Sequence, residues 1–226
     1  MAPERTGATV VVVGASRGIG LALARLLAGR GDRVIATCRS APDELRALPV
    51  EFVEGVDVRS AASLGAVARH LGERAVDVLL VVAAVSERVD LSNLDVEIIQ
   101  RLFDVNALGP VRVVAALVDH LRPGSKLVFV TSRMGSIGDN TSGGHYAYRM
   151  SKAALNMAAR SFAIDLRARG VAVGLVHPGF VQTDMTGGRG EVTPEEAAAK
   201  IVERIDALTL ETSGEFLHAK GYPLPW

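Results

Sequence analysis

Residues 8–13, Ala-Thr-Val-Val-Val-Val, run directly into Gly14-Ala-Ser-Arg-Gly18-Ile-Gly20 and then into Leu21-Ala-Leu-Ala-Arg-Leu-Leu27. The β-branched run suits a buried parallel strand, and the apolar spacing after the glycines suits a helix. Glycines at such a junction let the backbone approach a phosphate, which the amides of the helix N-terminus can bind. The spacing is G-x-x-x-G-x-G instead of the commoner G-x-G-x-x-G. We expect a nucleotide-binding turn here, with a plain strand–helix connection as the alternative.

The rest of the chain alternates between strand-like and helical segments. Strands are predicted near residues 8–13, 32–37, 50–54, 76–83, 125–131 and 171–176, and helices near 18–29, 60–71, 92–121, 146–169 and 194–208. This alternation predicts an α/β fold: a three-layer, doubly wound parallel sheet of the Rossmann type, in a single domain over residues 1–226. Ligands of such sheets bind at the carboxyl ends of the strands, where Gly14, Asp57, Ala83, Ser132 and His177 would converge.

Composition excludes several classes of function. The 226 residues are 49% hydrophobic, which suits a packed core and argues against disorder. The longest uncharged apolar run, Val78 to Val85, is too short to span a bilayer, and residues 1–7 leave no room for a signal peptide. Basic and acidic residues number 25 each, so no charge excess indicates nucleic acid or a membrane surface. The single cysteine, Cys38, suits a reducing compartment. We expect a soluble cytoplasmic protein that binds a small molecule; no metal site is predicted.

Tyr148 and Lys152 lie four positions apart at the start of the helical segment 146–169. An offset of four turns the side chain by about 40°, so the phenol and the ammonium share one helix face. A neighbouring cation favours the phenolate, so we expect the pKa of Tyr148 to fall below about 10, which would suit proton transfer near neutral pH. An ordinary helix face is the alternative for the pair taken alone. Tyr146, six positions from Lys152, is turned about 240° away and is expected to pack.

Further motifs follow in a fixed order along the chain. They are Ser132-Arg-Met-Gly-Ser-Ile137, Asn140-Thr-Ser-Gly-Gly144, Tyr148-Arg-Met-Ser-Lys-Ala-Ala-Leu-Asn156, His177-Pro-Gly-Phe-Val-Gln-Thr-Asp-Met185 and Leu224-Pro-Trp226. Together with the glycine turn, they make the chain resemble short-chain dehydrogenase/reductases of the classical type over nearly its whole length. Within that superfamily it most resembles the C-factor-like (C-signal-like) carbonyl reductases. The motifs are specific for the family and much less specific for a substrate.

The resemblance implies a catalytic set of Asn106, Ser132, Tyr148 and Lys152. Ser132 would hydrogen-bond a substrate carbonyl, and Tyr148 would protonate the carbonyl oxygen. Lys152 would lower the pKa of the phenol and hold the nicotinamide ribose. Asn106 matches the family asparagine that supports a water relay to the lysine; a helix kink is its alternative explanation.

The resemblance also implies a nicotinamide dinucleotide site. Its residues would be Gly14, Ser16, Arg17, Gly18, Ile19, Gly20, Arg39, Asp57, Val58, Ala83, Tyr148, Lys152, Pro178, Gly179, Val181 and Thr183. In this match Asp57 and Val58 contact the adenine. Thr183, with help from the backbone of Val181, fixes the carboxamide.

Cofactor choice depends on the end of the second predicted strand. Enzymes that bind NAD place an acidic residue there, which accepts a hydrogen bond from the ribose 2′-hydroxyl. This chain has Cys38 at that position and Arg39 after it. Because Arg39 and Arg17 could clamp a 2′-phosphate, NADP(H) is expected and NAD is less favoured.

The segment Val81-Val82-Ala83-Ala84 departs from the family pattern, which is usually Asn-Asn-Ala-Gly. Val82 cannot make the hydrogen bonds of an asparagine, and Ala84 puts a methyl group where glycine would let the cofactor ribose come close. Two interpretations stay open. Either a repacked strand end weakens binding modestly, or the cofactor site is altered enough to change or abolish redox turnover.

The leading hypothesis is an NADPH-dependent oxidoreductase that reduces a small aldehyde or ketone to an alcohol. The alternatives are a non-redox lyase, isomerase or cyclase on the same scaffold, and an NADP-binding signalling protein with little turnover. Residues 184–191 are expected to form a short substrate lid, beside a pocket lined by Met134, Phe180 and Met185. The helices 92–121 and 146–169 pair subunits in many family members, so we expect a homo-oligomer, either a dimer or a tetramer.

Overall fold

The sheet is the central element of the fold. The computed structural model describes residues 7–226, and within them seven parallel strands form one sheet. The strands are β1 (Thr9–Val13), β2 (Arg33–Thr37), β3 (Glu51–Val53), β4 (Val76–Val81), β5 (Leu121–Val130), β6 (Ala172–His177) and β7 (Phe216–His218). Their order is β3-β2-β1-β4-β5-β6-β7, so the sheet winds in opposite directions from a switch point between β1 and β4. The predicted doubly wound parallel sheet is confirmed.

Helices cover both faces of the sheet. They are α1 (Gly18–Gly29), α2 (Asp43–Arg46), α3 (Ala61–Leu71), α4 (Val96–Phe103), α5 (Gly109–Leu117), α6 (Tyr146–Asp165) and α7 (Pro194–Ala207). Alternate residues of β1 face opposite layers: Val11 and Val13 pack towards α3, α5 and α6, whereas Val10 and Val12 pack towards α1 and α7. These two apolar cores hold the three layers together. No helix within residues 7–226 is long and apolar enough to cross a membrane.

The predicted helix 92–121 is wrong as a single α-helix. Asp95 caps α4, because its side chain accepts hydrogen bonds from the backbone amides of Glu97 and Ile98. A π-helical turn, Asp104–Leu108, then separates α4 from α5, and a 3₁₀ turn, Val118–His120, leads into β5. An apolar period close to 3.6 residues continues through the π turn, so periodicity alone does not reveal the break.

Two short elements are missing from the sequence prediction. The four-residue α2 and the three-residue β7 are too short to show a period. In addition, β5 begins at Leu121, where it pairs with Val76, and β4 ends at Val81 before the last two predicted strand residues. The expectation that residues 1–7 leave no room for a signal peptide falls, except for residue 7, outside the described residues.

Candidate active site

The glycine turn joins β1 to α1 without room for side chains at two positions. A Cβ on Gly20 would lie 2.0 Å from the carbonyl oxygen of Gly14, and a Cβ on Gly14 would lie 2.7 Å from the backbone of Ala83. Gly14 also has a φ of 95°, which favours glycine. At the start of α1, the N-cap residue Arg17 makes no side-chain cap, and the first turn holds no acidic residue. Its first amides are therefore available to an anionic ligand.

A cleft of about 810 Å³ opens beside this turn, at the carboxyl ends of the strands. Its lining includes the predicted residues Gly14, Ser16, Arg17, Gly18, Ile19, Gly20, Arg39, Asp57, Val58, Ala83 and Thr183. Five other predicted cofactor residues stand outside this lining: Tyr148, Lys152, Pro178, Gly179 and Val181. Val181 is buried, and its carbonyl accepts a hydrogen bond from the hydroxyl of Thr186. The structure therefore brings together most, but not all, of the residues that the resemblance implies.

Basic side chains border the end of the cleft near β2. Position 38 holds a buried cysteine in place of a carboxylate, and burial raises the pKa of its thiol. The exposed Arg39 guanidinium has no hydrogen-bond or ion-pair partner within residues 7–226. Arg17, in contrast, forms an exposed ion pair with Asp184 at 3.1 Å. One of the two predicted phosphate-binding arginines is thus held by a carboxylate at the mouth of the cleft.

Asp57 is paired with a cation that the sequence analysis missed. The Arg59 guanidinium donates hydrogen bonds to both carboxylate oxygens of Asp57, and these bonds hold the pKa of Asp57 at about 2. Arg59 also lines the cleft. The spacing of two residues between Asp57 and Arg59 is the feature of the sequence from which this pair could have been predicted. The carboxylate offered to the adenine is therefore already engaged.

Ser132, Tyr148 and Lys152 come together between β5 and α6. Ser132 hydrogen-bonds the phenol of Tyr148, and its Oγ accepts a hydrogen bond from the amide of Met134 at 3.1 Å. The Lys152 ammonium donates to the carbonyl of Val130 at 3.1 Å and lies 5.8 Å from the centroid of the Tyr148 ring. The predicted common face for Tyr148 and Lys152 is therefore present.

The pKa values of this pair differ from the expectation. Burial raises the pKa of Tyr148 to about 12, and the hydrogen bond from Ser132 offsets only part of that rise. Burial also lowers the pKa of Lys152 to about 8. The expected low pKa of Tyr148 is wrong for the chain by itself, because the ammonium bonds the carbonyl of Val130 instead of the phenol oxygen. Loss of water then outweighs a cation at ring distance.

Asn106 is fully buried in the π turn, and hydrogen bonds engage its amide. Its Oδ1 accepts from the amide of Val85 at 2.8 Å, and its Nδ2 donates to the Val85 carbonyl at 2.8 Å and to the Ser151 hydroxyl at 3.0 Å. Ser151 in turn donates to the Tyr148 carbonyl at 2.8 Å. Asn106 thus ties the loop after β4 to the first turn of α6. These hydrogen bonds suit a positioning role for Asn106. The residue also lies in the π turn that interrupts the helix, where the alternative explanation places a kink.

A second group of side chains surrounds the loop between Ser132 and Tyr148. It comes from the ends of β5, β6 and β7 and from the start of α6, and we call it the β5–β7 rim: Arg133, Asp139, Arg149, His177, His218, Tyr222 and Trp226. His177 packs edge-on against His218 at 5.0 Å, and His218 stacks on Tyr222 at 4.7 Å. The carbonyl of Trp226 accepts hydrogen bonds from the Gly138 amide at 2.7 Å and from the Ser136 hydroxyl at 3.2 Å. The sequence analysis placed His177 at the end of a strand but predicted none of these contacts.

The predicted lid, residues 184–191, begins at the mouth of the cleft. Asp184–Thr186 forms a 3₁₀ turn, and Gly187 and Gly188 follow with positive φ values. Asp184 and Met185 line the cleft, while the Glu191 amide donates to the Phe180 carbonyl at 2.7 Å. The segment is thus anchored at both ends. Its opening and closing stay a prediction.

Comparisons with known proteins agree with this geometry. The family model described as short chain dehydrogenase matches residues 8–193. The chain is 46% identical over 224 residues to 1-hydroxy-2-glutathionyl-2-methyl-3-butene dehydrogenase of Rhodococcus sp. (strain AD45), a match that covers 96% of this chain and 99% of the relative. It is 47% identical over 154 residues to C-signal of Myxococcus xanthus, which covers 67% of this chain and 93% of that relative.

Among solved structures, a carbonyl reductase from Pseudomonas aeruginosa PAO1 in complex with NADP superposes with a TM-score of 0.86 at 31% identity, covering 98% of this chain and 100% of that one. The family match, the two relatives and the shared parallel sheet confirm the resemblance found in the sequence. The chain therefore belongs to the short-chain dehydrogenase/reductase family of oxidoreductases.

Proposed function

We propose that this protein is an NADPH-dependent oxidoreductase that reduces the carbonyl group of a small aldehyde or ketone to an alcohol. The observation that carries the proposal is the meeting of Ser132, Tyr148 and Lys152 near a cleft shaped by a glycine turn. When bound, the nicotinamide cofactor supplies the hydride. The protein supplies position, a proton and a charged environment.

The residues present fit a phosphorylated dinucleotide. At Gly14 and Gly20 a Cβ would collide with backbone, so the turn keeps its main chain bare for phosphates. Arg39 has no ion-pair partner within residues 7–226 and follows the position where NAD-binding enzymes have a carboxylate for the ribose 2′-hydroxyl; Arg17 lines the same cleft. The binding of NADP by the carbonyl reductase from Pseudomonas aeruginosa is consistent with this choice.

Proton transfer follows from the pKa values of the site. With a pKa of about 12, Tyr148 keeps its proton at neutral pH and can give it to a carbonyl oxygen. The Ser132 hydroxyl would hold that oxygen, and it would also stabilise the phenolate left after transfer. Lys152 adds a nearby positive charge in its protonated form. Asn106 acts through Ser151 by fixing the first turn of α6, so it is a positioning residue.

The structure of the segment Val81–Ala84 favours the milder of its two interpretations. The amides of Val82 and Ala83 both donate to the carbonyl of Val13, at 3.0 and 2.9 Å. Val82 packs against the core beside α1, and Ala83 lies against Gly14. The strand end is therefore ordered and closed without the asparagine. We infer that it still supports cofactor binding.

Steady-state oxidation of NADPH and of NADH with a panel of aldehydes, ketones and quinones tests this function. We expect turnover with NADPH, and a NADPH affinity that Arg39→Gln lowers about ten- to a hundredfold while leaving NADH nearly unchanged. Cofactor binding without turnover would favour the signalling alternative. Product formation without a change in the cofactor would favour a non-redox enzyme. Equal affinity for the two cofactors would overturn the NADPH assignment.

A second candidate is the oxidation of an alcohol that carries a glutathione thioether. The relative from Rhodococcus is named for such a substrate and matches this chain along nearly its whole length. The test is to supply a glutathione thioether of a primary alcohol together with NADP⁺ or NAD⁺. A higher kcat/KM for this compound than for simple alcohols would favour it over the reduction of small carbonyls.

The proposed homo-oligomer has support on α6. Met150, Met157 and Ile164 recur every seven residues, and each is exposed in the single chain. Light scattering after gel filtration would show a dimer or tetramer. Charge introduced at Met157 should dissociate it, whereas the same change at Ile137, which is still more exposed and lies outside α6, should not.

A further inference from the structure

The residues of the β5–β7 rim are distinct from the lining of the cofactor cleft. The cleft is lined by the residues after β1, β2 and β4 and by residues 182–185, whereas the rim follows β5, β6 and β7. Ser132 hydrogen-bonds Tyr148 and is the N-cap of the turn that begins at Arg133. A substrate whose carbonyl is held by Ser132 and Tyr148 is therefore bound next to the first residue of the rim.

The charged side chains in and beside the rim are mostly cationic. The rim itself contains Arg133 and Arg149, and Lys152 lies nearby. The one carboxylate side chain of the rim, Asp139, pairs with Arg133. Further out, Lys220 and Glu191 act on His218 with opposite signs. The Arg133 side chain stays 59% exposed. Its Nε and one terminal nitrogen donate to the two oxygens of Asp139, and the other terminal nitrogen has no hydrogen bond within residues 7–226.

His177 senses this positive field from inside the rim. Burial is the main reason that the pKa of His177 falls to about 3; His218, Arg133 and Lys152 lower it further, in that order, and Asp139 opposes them more weakly. His177 is therefore neutral at physiological pH. The charges of Arg133 and Lys152 that oppose protonation of His177 disfavour another cation beside it and favour an anion over a cation.

Two buried polar atoms of the rim lack partners. Neither Nε of Arg149 nor Nδ1 of His177 has a hydrogen bond within residues 7–226. The terminal nitrogen of the same arginine donates to the hydroxyl of Ser142 at 2.9 Å, so the side chain is held in place while Nε stays unsatisfied. Nε of Arg149 always carries a proton, so it is a buried donor without an acceptor, which is costly, and a ligand that supplies an acceptor removes the cost.

We propose that the β5–β7 rim binds a carboxylate of the substrate, and that the enzyme is selective for carbonyl compounds, or the corresponding alcohols, that carry an acidic group. The proposal rests on the proposed oxidoreductase function, because it places the acid of the substrate beyond the carbonyl held by Ser132 and Tyr148. Arg133 is the principal recognition residue. Asp139 competes with the substrate for it, and Tyr222 and Trp226 form the aromatic edge of the same surface.

The kinetic test compares 4-formylbenzoate with its methyl ester, since the two share the reacting aldehyde and differ in charge. We expect a lower KM for the acid in the native enzyme. Arg133→Gln should raise the KM of the acid about tenfold and leave that of the ester within about twofold. Asp139→Asn should act in the opposite direction and lower the KM of the acid. Arg25→Gln, which removes an exposed arginine from an ion pair on α1, should change neither.

A binding readout separates this proposal from the proposed function. Trp226 is the only tryptophan of the chain, so quenching of its fluorescence by 4-(hydroxymethyl)benzoate reports binding at the rim without cofactor. Arg133→Gln should weaken that binding about tenfold. If neither aldehyde is reduced but the acid still binds in an Arg133-dependent manner, the reductase proposal fails and the anion site stands. Equal KM and equal affinity for acid and ester, or equal effects of Arg133→Gln on both, would overturn the anion site.

Discussion

The cofactor cleft and the β5–β7 rim are built from different parts of the chain. The phosphate-binding turn of the cleft consists of seven consecutive residues, 14–20, whose main chain packs so closely that Gly14 and Gly20 admit no Cβ. The rim depends on side chains from segments as far apart as Arg133 and Trp226, which approach only because β5, β6 and β7 are neighbours in the sheet. Backbone shape defines the first region, and side-chain identity defines the second.

This difference explains how one fold serves many substrates. A surface made of backbone changes little when side chains are replaced, so it suits a cofactor common to the family. A surface made of side chains changes with each replacement, so it suits substrate choice. Ser132, Tyr148 and Lys152 lie at the boundary, where the proton must be delivered whatever the substrate. The following predictions concern Tyr148, then the glycine turn, then Lys152, and finally the ion pair at the mouth of the cleft.

Loss of the phenol at the boundary should have the largest effect. Tyr148→Phe removes the proton donor, so kcat and kcat/KM should fall together by about 10² to 10⁴, while NADPH affinity stays within about twofold. Tyr146→Phe is the matched control, because both rings pack against Val89 and Leu102 but only Tyr148 is hydrogen-bonded by Ser132 among the described residues. Activity retained in Tyr148→Phe and lost in Tyr146→Phe would assign the proton to the other tyrosine.

The glycine turn should tolerate no side chain at position 20. In Gly20→Ala the new Cβ would meet the Gly14 carbonyl oxygen at 2.0 Å, so the backbone must move, at a cost of about 1–3 kcal/mol in the free energy of unfolding. NADPH should then give a much smaller thermal shift than in the native protein. Gly29→Ala, at the other end of α1, meets no atom within 4 Å and should stabilise the helix slightly. Equal behaviour of the two variants would show that the turn is not tightly packed.

Burial of the Lys152 ammonium should lower the free energy of unfolding at neutral pH. Its pKa is lowered from 10.5 to about 8, so the unfolded chain holds the proton more tightly, and native stability rises as pH increases from about 8 to 10.5. Below pH 8 the buried ammonium costs about 3 kcal/mol, of which the bond to the Val130 carbonyl returns about 1 kcal/mol. Lys152→Met should therefore be inactive but more stable by about 2 kcal/mol at pH 7.

Urea unfolding at pH 7 and at pH 9.5 measures this difference. The advantage of Lys152→Met should shrink at the higher pH, because the native lysine is then largely neutral as well. A variant that is less stable than the native protein at pH 7, or an advantage that does not change with pH, would contradict the burial of a charged lysine.

Release of Arg17 at the mouth of the cleft should have the smallest effect. Asp184→Asn breaks an exposed ion pair of the kind that contributes at most about 1 kcal/mol, so NADPH should bind up to about fivefold more tightly and NADH about as before. Asp206→Asn, which breaks the ion pair with Arg30 far from the cleft, is the control. Calorimetric titration decides. Weaker NADPH binding in Asp184→Asn would mean that the ion pair itself holds the lid in its binding position.

Much of the fold and part of the site could be predicted from the sequence. The unit formed by β1, the turn and α1 matches its predicted limits within one residue, because β-branched runs, glycines and apolar spacing act locally. The common face of Tyr148 and Lys152 also follows from helix geometry alone. The limits of α4 and α5 could not be predicted in this way, because Asn106 and its partners Val85 and Ser151 stabilise the π turn across long stretches of chain.

The sequence by itself determined the alternation of strands and helices and the glycine turn, since each depends on residues that are neighbours along the chain. Its motifs also indicated the family, and through that resemblance the candidate catalytic side chains. Tertiary structure decided the engagement of Arg17 by Asp184, the loop contacts of Trp226 and the positive rim around His177. It also decided the pKa of Tyr148, because burial is set by what the folded chain packs around a group. Contacts and desolvation between distant segments arise only when the sheet brings strand ends together, and no local pattern records them.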